Sequence, residues 1–255
     1  MNPKWKYTSI IAICLLLAIC GCGGGKKMLA ITQVSEGTVG YNGALCLRTP
    51  HGLIIAHPSQ DGAIIPKDTI HVPISASAAL LDYNDAAKEI FFIKEDTIFR
   101  YDITTGLMRT MTTGEICRDT RCGRSSRDGK FFAFTSCSWF VGNIEFWRLV
   151  LVDAIEGGIV YYCDSLPAPD MFQWLKPMRL GFLEYQYVRG EFDTIGRMFD
   201  TERNAVLPAR DGSIELMSNP CNPRISPDGI WSLDIIEGKP VIKKMKGTNE
   251  TIGNP

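Results

Sequence analysis

Three histidines are the first candidates for acid–base or metal chemistry: His51, His57 and His71 fall within 21 residues, with Asp61 and Asp68 nearby. Imidazole titrates near neutral pH and ligates transition metals. No pair of them has helical or tight-hairpin ligand spacing, so they read as ordinary loop and strand residues. A posed serine nucleophile would need a Gly-x-Ser-x-Gly elbow, and none occurs. No glycine-rich run leads into a helix that could cradle phosphate. The expectation is therefore no catalytic set, no metal and no cofactor. What remains is recognition chemistry. Arg118, Arg121, Arg124 and Arg127 form a basic cluster beside Cys117 and Cys122, read either as solvated loop charge or as a seat for an anionic partner. Trp139, Phe140, Phe146 and Trp147 flank Val141-Gly142-Asn143, and Tyr185, Tyr187 and Phe192 flank a second loop carrying Arg189 and Glu191. Most of these rings are expected to pack internally, but loops on a rigid scaffold often carry binding. The candidate binding residues are Trp139, Trp147, Tyr185, Arg118, Arg121 and Arg124.

The remaining chemistry belongs to sulfur. Lys4 and Lys6 open the chain without an acid, and Thr8 to Cys20 is almost unbroken apolar sequence. That stretch is shorter than the roughly 20 residues a spanning helix needs, and a positive start before a short apolar run is the pattern of a secretory signal. The end of the apolar run resembles the lipobox of bacterial lipoproteins, a cysteine just after small residues. Cys20 comes after the bulky Ile19, whereas Cys22 comes after Gly21. The resemblance implies cleavage after residue 21 and a diacylglyceryl thioether on Cys22, so that membrane lipid is the first partner. Each buried methylene adds about 0.8 kcal/mol of membrane affinity, so two or more chains anchor firmly. Residues 22–27, with Gly23 to Gly25 and then Lys26 and Lys27, read as a flexible tether. The expected location is the cell envelope, lipid-anchored, at the outer membrane on its periplasmic or surface face.

An exported chain permits disulfides. Six cysteines lie beyond Cys22: Cys46, Cys117, Cys122, Cys137, Cys163 and Cys221. Six allow 15 pairings, and the favoured ones are Cys117 with Cys122, Cys137 with Cys163, and Cys46 with Cys221. A zinc site would need Cys-x-x-Cys spacing, and the only close pair has four intervening residues.

These residues must be held by something, and the elements look like strands. With a formal net charge of −1 there is no electrostatic reason to expect a nucleic-acid partner. From residue 28 onward the apolar runs are short, β-branched or aromatic, and bounded by turn residues. They include Ile90–Ile93, Thr97–Ile103, Phe131–Thr135, Leu149–Val152, Ile159–Cys163, Leu180–Tyr187, Ile230–Ile236 and Pro240–Met245. Only 81–84 and the alanine-rich stretch before it are expected to hold a helical turn.

The turns repeat. Ser126-Arg127-Asp128-Gly129 precedes the strand Phe131–Phe134, and Ser226-Pro227-Asp228-Gly229 precedes Ile230–Leu233. Asp bonds back to the backbone and Gly takes positive φ before the next strand. A second unit is a strand ending in Asp, then a short turn: Asp102 to Gly106, Asp153 to Gly157, and a degraded copy from Asp200 to Asn204. Asp102 to Asp153 spans 51 residues and Asp153 to Asp200 spans 47. A unit of about 45–50 residues with four strands matches a propeller blade. At these turns the chain resembles the TolB-type β-propeller family with WD40-like (PD40) repeats. The resemblance covers roughly 85–245 and implies an all-β fold of about five four-stranded blades, four to six being possible, in a single domain over 28–255. The last blade is expected to lack its outer strand or strands, with Met28–Val34 closing it as an N-terminal strand. The expected function is an envelope lipoprotein whose propeller is a scaffold for another protein or a cell-wall component. The alternative is a hydrolase or lyase acting on glycans or peptides at the propeller axis.

Overall fold

Local turn chemistry carries the chain through successive meanders. The computed structural model describes residues 31–59, 63–72, 77–176, 178–209, 221–222, 224–227 and 229–245. The first sheet holds β1 (Glu36–Val39), β2 (Leu45–Thr49), β3 (Gly52–Pro58) and β4 (Ile64–Ile70). The second holds β5 (Ala79–Asn84), β6 (Glu89–Lys94), β7 (Thr97–Asp102) and β8 (Leu107–Thr113). A 3-10 turn, Glu115–Cys117, leads to the third: β9 (Cys122–Ser125), β10 (Phe131–Val141), β11 (Ile144–Asp153) and β12 (Ile159–Leu166). The fourth holds β13 (Phe172–Lys176), β14 (Arg179–Val188), β15 (Glu191–Asp200) and β16 (Ala205–Pro208). The fifth has only β17 (Trp231–Ile236) and β18 (Lys239–Lys244). Each strand pairs antiparallel with its neighbour in sequence, so every connection within a sheet is a hairpin. An all-β chain of this kind is consistent with a propeller.

The repeated turns form as the residue types require. The Asp102 carboxylate accepts from Thr104 N–H at 2.7 Å and Thr105 N–H at 3.1 Å. Asp153 does the same for Ile155 and Glu156 at 2.8 and 2.9 Å, and Asp200 for Glu202 and Arg203 at 3.1 and 3.2 Å. The other turn also repeats bond for bond. Ser126 N–H donates to Phe131 O and Gly129 N–H to Ser126 O at 2.8 and 2.9 Å; Ser226 and Gly229 make the matching bonds, to Trp231 O and Ser226 O, both at 2.8 Å. In both copies the serine hydroxyl also takes the N–H five residues on. Asp228 lies outside the described residues.

This equivalence explains the short last sheet. β17 and β18 correspond to β10 and β11, the strands after the serine turn. The strand before it, β9 in the third sheet, is reduced to one bridge between Ile225 and Ser232. The expected five four-stranded blades are thus four four-stranded sheets and one two-stranded sheet among the described residues. The expected N-terminal closing strand is also corrected. Residues 31–35 are not a strand; Val34 donates one backbone bond to Gly238 O, at 2.8 Å, beside the turn of the last hairpin. Val34 packs with Leu233 and Ile242, so burial is satisfied without a ladder. Met28–Ala30 lie outside the described residues. The helical turn expected at 81–84 is strand β5, because its residues are buried on both faces and pair with β6.

The first strands of four of the five sheets lie beside one another: β1 beside β5, β5 beside β9, and β17 beside β1. The apolar core runs between sheets, with Phe91 and Phe132 stacked at 4.5 Å across the second and third.

Candidate functional site

Two hairpins are longer than the rest. β10 and β11 span 11 and 10 residues, and β14 and β15 span 10 each, whereas the other strands have four to eight. The loop expected around Val141-Gly142-Asn143 is a tight turn between long strands, with Val141 opposite Ile144. The second hairpin turns at Arg189 and Gly190, both at positive φ, with Val188 opposite Glu191. β12 of the third sheet packs on β14 of the fourth, so the hairpins project side by side.

Their aromatic rings meet. Phe146, 5% exposed, is the hub. Trp139 stacks on it at 5.9 Å, Tyr185 meets it edge-on at 5.3 Å, and Phe192 does so at 5.4 Å. Phe192 in turn contacts Tyr185 and Tyr187 at 6.1 and 5.1 Å. Such pairs contribute about 0.5–1.5 kcal/mol each beyond their burial, enough to hold two hairpins that share no ladder bonds. Tyr187, 65% exposed, and Val141 extend this face, while Phe140, 67% exposed, and Val188 alternate to the opposite face at the same hairpin ends. Exposed apolar groups gathered in one place mark an interaction surface.

Of the sequence candidates, Trp139 and Tyr185 therefore come together on this platform. Trp147 does not join them. It succeeds Phe146 on β11, so strand alternation points it to the other face, where it is buried in the core of the third and fourth sheets. Arg118 is exposed beside the 3-10 turn, paired with Glu115 at 3.0 Å, and Arg121 is exposed nearby.

Arg124 lies in the interior, 5% exposed. Its Nη1 donates to Asp82 Oδ1 at 2.9 Å and to Val39 O at 3.2 Å, and its Nη2 donates to Asn222 O at 2.6 Å and to Ile225 O. Its own carbonyl accepts from Trp174 Nε1 at 3.1 Å. The other oxygen of Asp82 accepts from Ser125 N–H and Oγ–H at 2.8 and 2.7 Å. One guanidinium thus joins strands of the first, second and third sheets and the segment that enters the fifth. Asp82 escaped the sequence reading because its pairing spans 42 positions.

The cysteine pairings are corrected as well. The disulfide joins Cys122 of β9 to Cys221. Cys46, Cys117, Cys137 and Cys163 are free thiols. Cys137 and Cys163 sit on β10 and β12 with β11 between them, Cys46 is buried in the first sheet, and Cys117 is buried under the second and third. The three histidines all belong to the first sheet or its borders, and burial pushes His57 below the usual imidazole range. Among the described residues no three metal-donor side chains gather. Cys22 and the segment 1–21 lie outside the described residues, and no described helix is long and apolar enough to cross a membrane.

No known family model matches the chain, and no curated protein matches it. Among solved structures, the chain is similar to the tricorn protease, with 14% identity and a TM-score of 0.48 over 71% of this chain and 17% of that one. It is similar to the acylaminoacyl peptidase of Pyrococcus horikoshii at 11% identity and a TM-score of 0.46, covering 79% and 35% of the two chains. It is similar to TolB from Acinetobacter baumannii at 13% identity and a TM-score of 0.39, covering 79% and 48%. The chain therefore spans less than half the length of each of these proteins.

Proposed function

We propose that this protein is an exported lipoprotein whose propeller-like domain is a recognition scaffold, docking a partner protein of the cell envelope on the paired hairpins β10–β11 and β14–β15. The aromatic platform carries the reading: buried rings fix the hairpins, and exposed Phe140, Val141, Tyr187 and Val188 cover their ends. Aromatic anchors on a rigid support are what interface hot spots consist of. The alternative of hydrolase or lyase chemistry has less support, because Arg124 and Asp82, a buried ion pair, are taken up by one another and by neighbouring backbone groups.

The anchor and the docking surface are tested separately. Labelling with a radioactive fatty acid should mark the wild-type protein and not Cys22→Ser; equal labelling of both removes the anchor. A photo-crosslinking residue at position 140, activated in intact cells, should give one discrete adduct that Tyr187→Ser abolishes. An adduct pattern unchanged by Tyr187→Ser, or no adduct, removes the docking surface.

A further inference from the structure

We propose that Cys117 and Cys137 are an oxidisable pair that closes a second disulfide between the 3-10 turn and the bulge of β10. The turn packs directly against β10. Cys137 N–H donates to Arg118 O at 2.8 Å, so the residue next to Cys117 lies one hydrogen bond from Cys137. The Cys137 thiol reaches Glu115 O at 3.1 Å, inside the same turn. Cys117 is thus one residue from the position that pairs with Cys137, and the bridge requires roughly 4.4–6.8 Å between their Cα atoms.

The bulge is what brings the thiol there. The β10–β11 register shifts between Ser136 and Ser138, and Cys137 between them takes φ of +42°. A non-glycine residue in that region is uncommon and marks a constrained position. It takes Cys137 out of strand alternation, leaving its side chain on the 3-10 turn. Both thiols are free and Cys137 is half-exposed, while the Cys117 thiol bonds Thr112 and the Ile98 backbone and must turn from them to close the bridge.

Exposure orders the chemistry. Burial pushes the Cys117 thiol up to about 11, so it is the poorer first nucleophile. The Cys137 thiolate attacks one sulfur of an external disulfide such as oxidised glutathione, forming a mixed disulfide and expelling one glutathione thiolate. Cys117 loses its proton to solvent and attacks the Cys137 sulfur, expelling the second glutathione. The protein loses two protons and two electrons, and the oxidant becomes two thiols. This pair is independent of the docking reading.

The full-length protein, incubated with oxidised glutathione and then alkylated under denaturing conditions, is digested without reductant and mapped by mass spectrometry. The expected result is a peptide joining Cys117 to Cys137, with Cys46 and Cys163 still alkylated. Cys137→Ser, a change at a half-exposed site, should leave Cys117 fully alkylated. Full alkylation of both cysteines in the wild type overturns the proposal, as does a glutathione adduct that stops on Cys137.

Discussion

The guanidinium of Arg124 lies 2.9 Å from the carboxylate of Asp82, and both side chains are almost wholly buried, at 6% and 1% exposure. Two charges removed from water are tolerable only when each is fully hydrogen-bonded. Here Asp82 has Ser125 as well, and Arg124 has three backbone carbonyls. Removing one partner leaves the other buried and uncompensated. Arg124→Met should cost about 3–5 kcal/mol of stability, read as a lowered urea midpoint. In a double-mutant cycle, Arg124→Met with Asp82→Asn should lose less than the two single changes together; strict additivity would mean the pair is not coupled.

Burial raises two carboxylates. Glu36 and Glu89 both titrate above their ordinary 4.5 despite neighbouring Arg48 and Arg100. The folded protein then holds more protons than the unfolded chain between 4.5 and the raised values, so stability falls as pH rises through that window. Asp102 and Asp234 are shifted the other way, and their stabilising contribution is lost only as pH falls below 3.8. Denaturant titrations from pH 4 upward should show the negative slope in wild type and a flatter one in Glu36→Gln/Glu89→Gln. A wild-type slope of the opposite sign would contradict the burial argument.

One turn glycine has no room for a side chain. Gly157 sits at φ +79°, and an added Cβ would lie 2.3 Å from the carbonyl oxygen of Met111 in the neighbouring sheet. Gly157→Ala is expected to cost about 1–3 kcal/mol from backbone strain alone, with the clash added. Gly142, at a hairpin tip with φ +63° and nothing nearby, is the control with strain and no clash. Thermal unfolding should rank Gly157→Ala well below Gly142→Ala; equal melting temperatures would show that the two sheets yield freely at this contact.

The aromatic platform divides into support and surface. Phe146→Ala removes the ring that Trp139, Tyr185 and Phe192 share, and should cost about 3–5 kcal/mol. Phe140→Ser and Tyr187→Ser change exposed rings and should stay within about 0.5 kcal/mol of wild type. Far-ultraviolet circular dichroism during heating measures both. A large loss from Phe140→Ser would mean the ring packs rather than presents itself.

Local features were legible in the sequence. The turns at Asp102, Asp153 and Asp200 are decided by a carboxylate two or three residues from the N–H groups it serves, so their spacing exposed the repeat. Eight of the strands from 89 to 244, namely β6, β7, β10, β11, β12, β14, β17 and β18, could be read from short apolar runs between those turns. The aromatic candidates flanked two hairpins, and alternation along β11 sorts Phe146 from Trp147. Residues 81–84 misled because β5, though an edge strand of its sheet, is buried on both faces and shows no period of two. The cysteine pairing and the position of Arg124 depend on contacts 99 and 42 residues apart, and composition near Cys122 holds no trace of either.

The bridge from Cys122 to Cys221 closes a covalent loop that contains the third and fourth sheets, both long hairpins included. A protease that cuts the chain at the exposed Arg189 therefore opens a circle rather than freeing a fragment. Both pieces stay attached through sulfur, and the break shows on a gel only after a reducing agent is added.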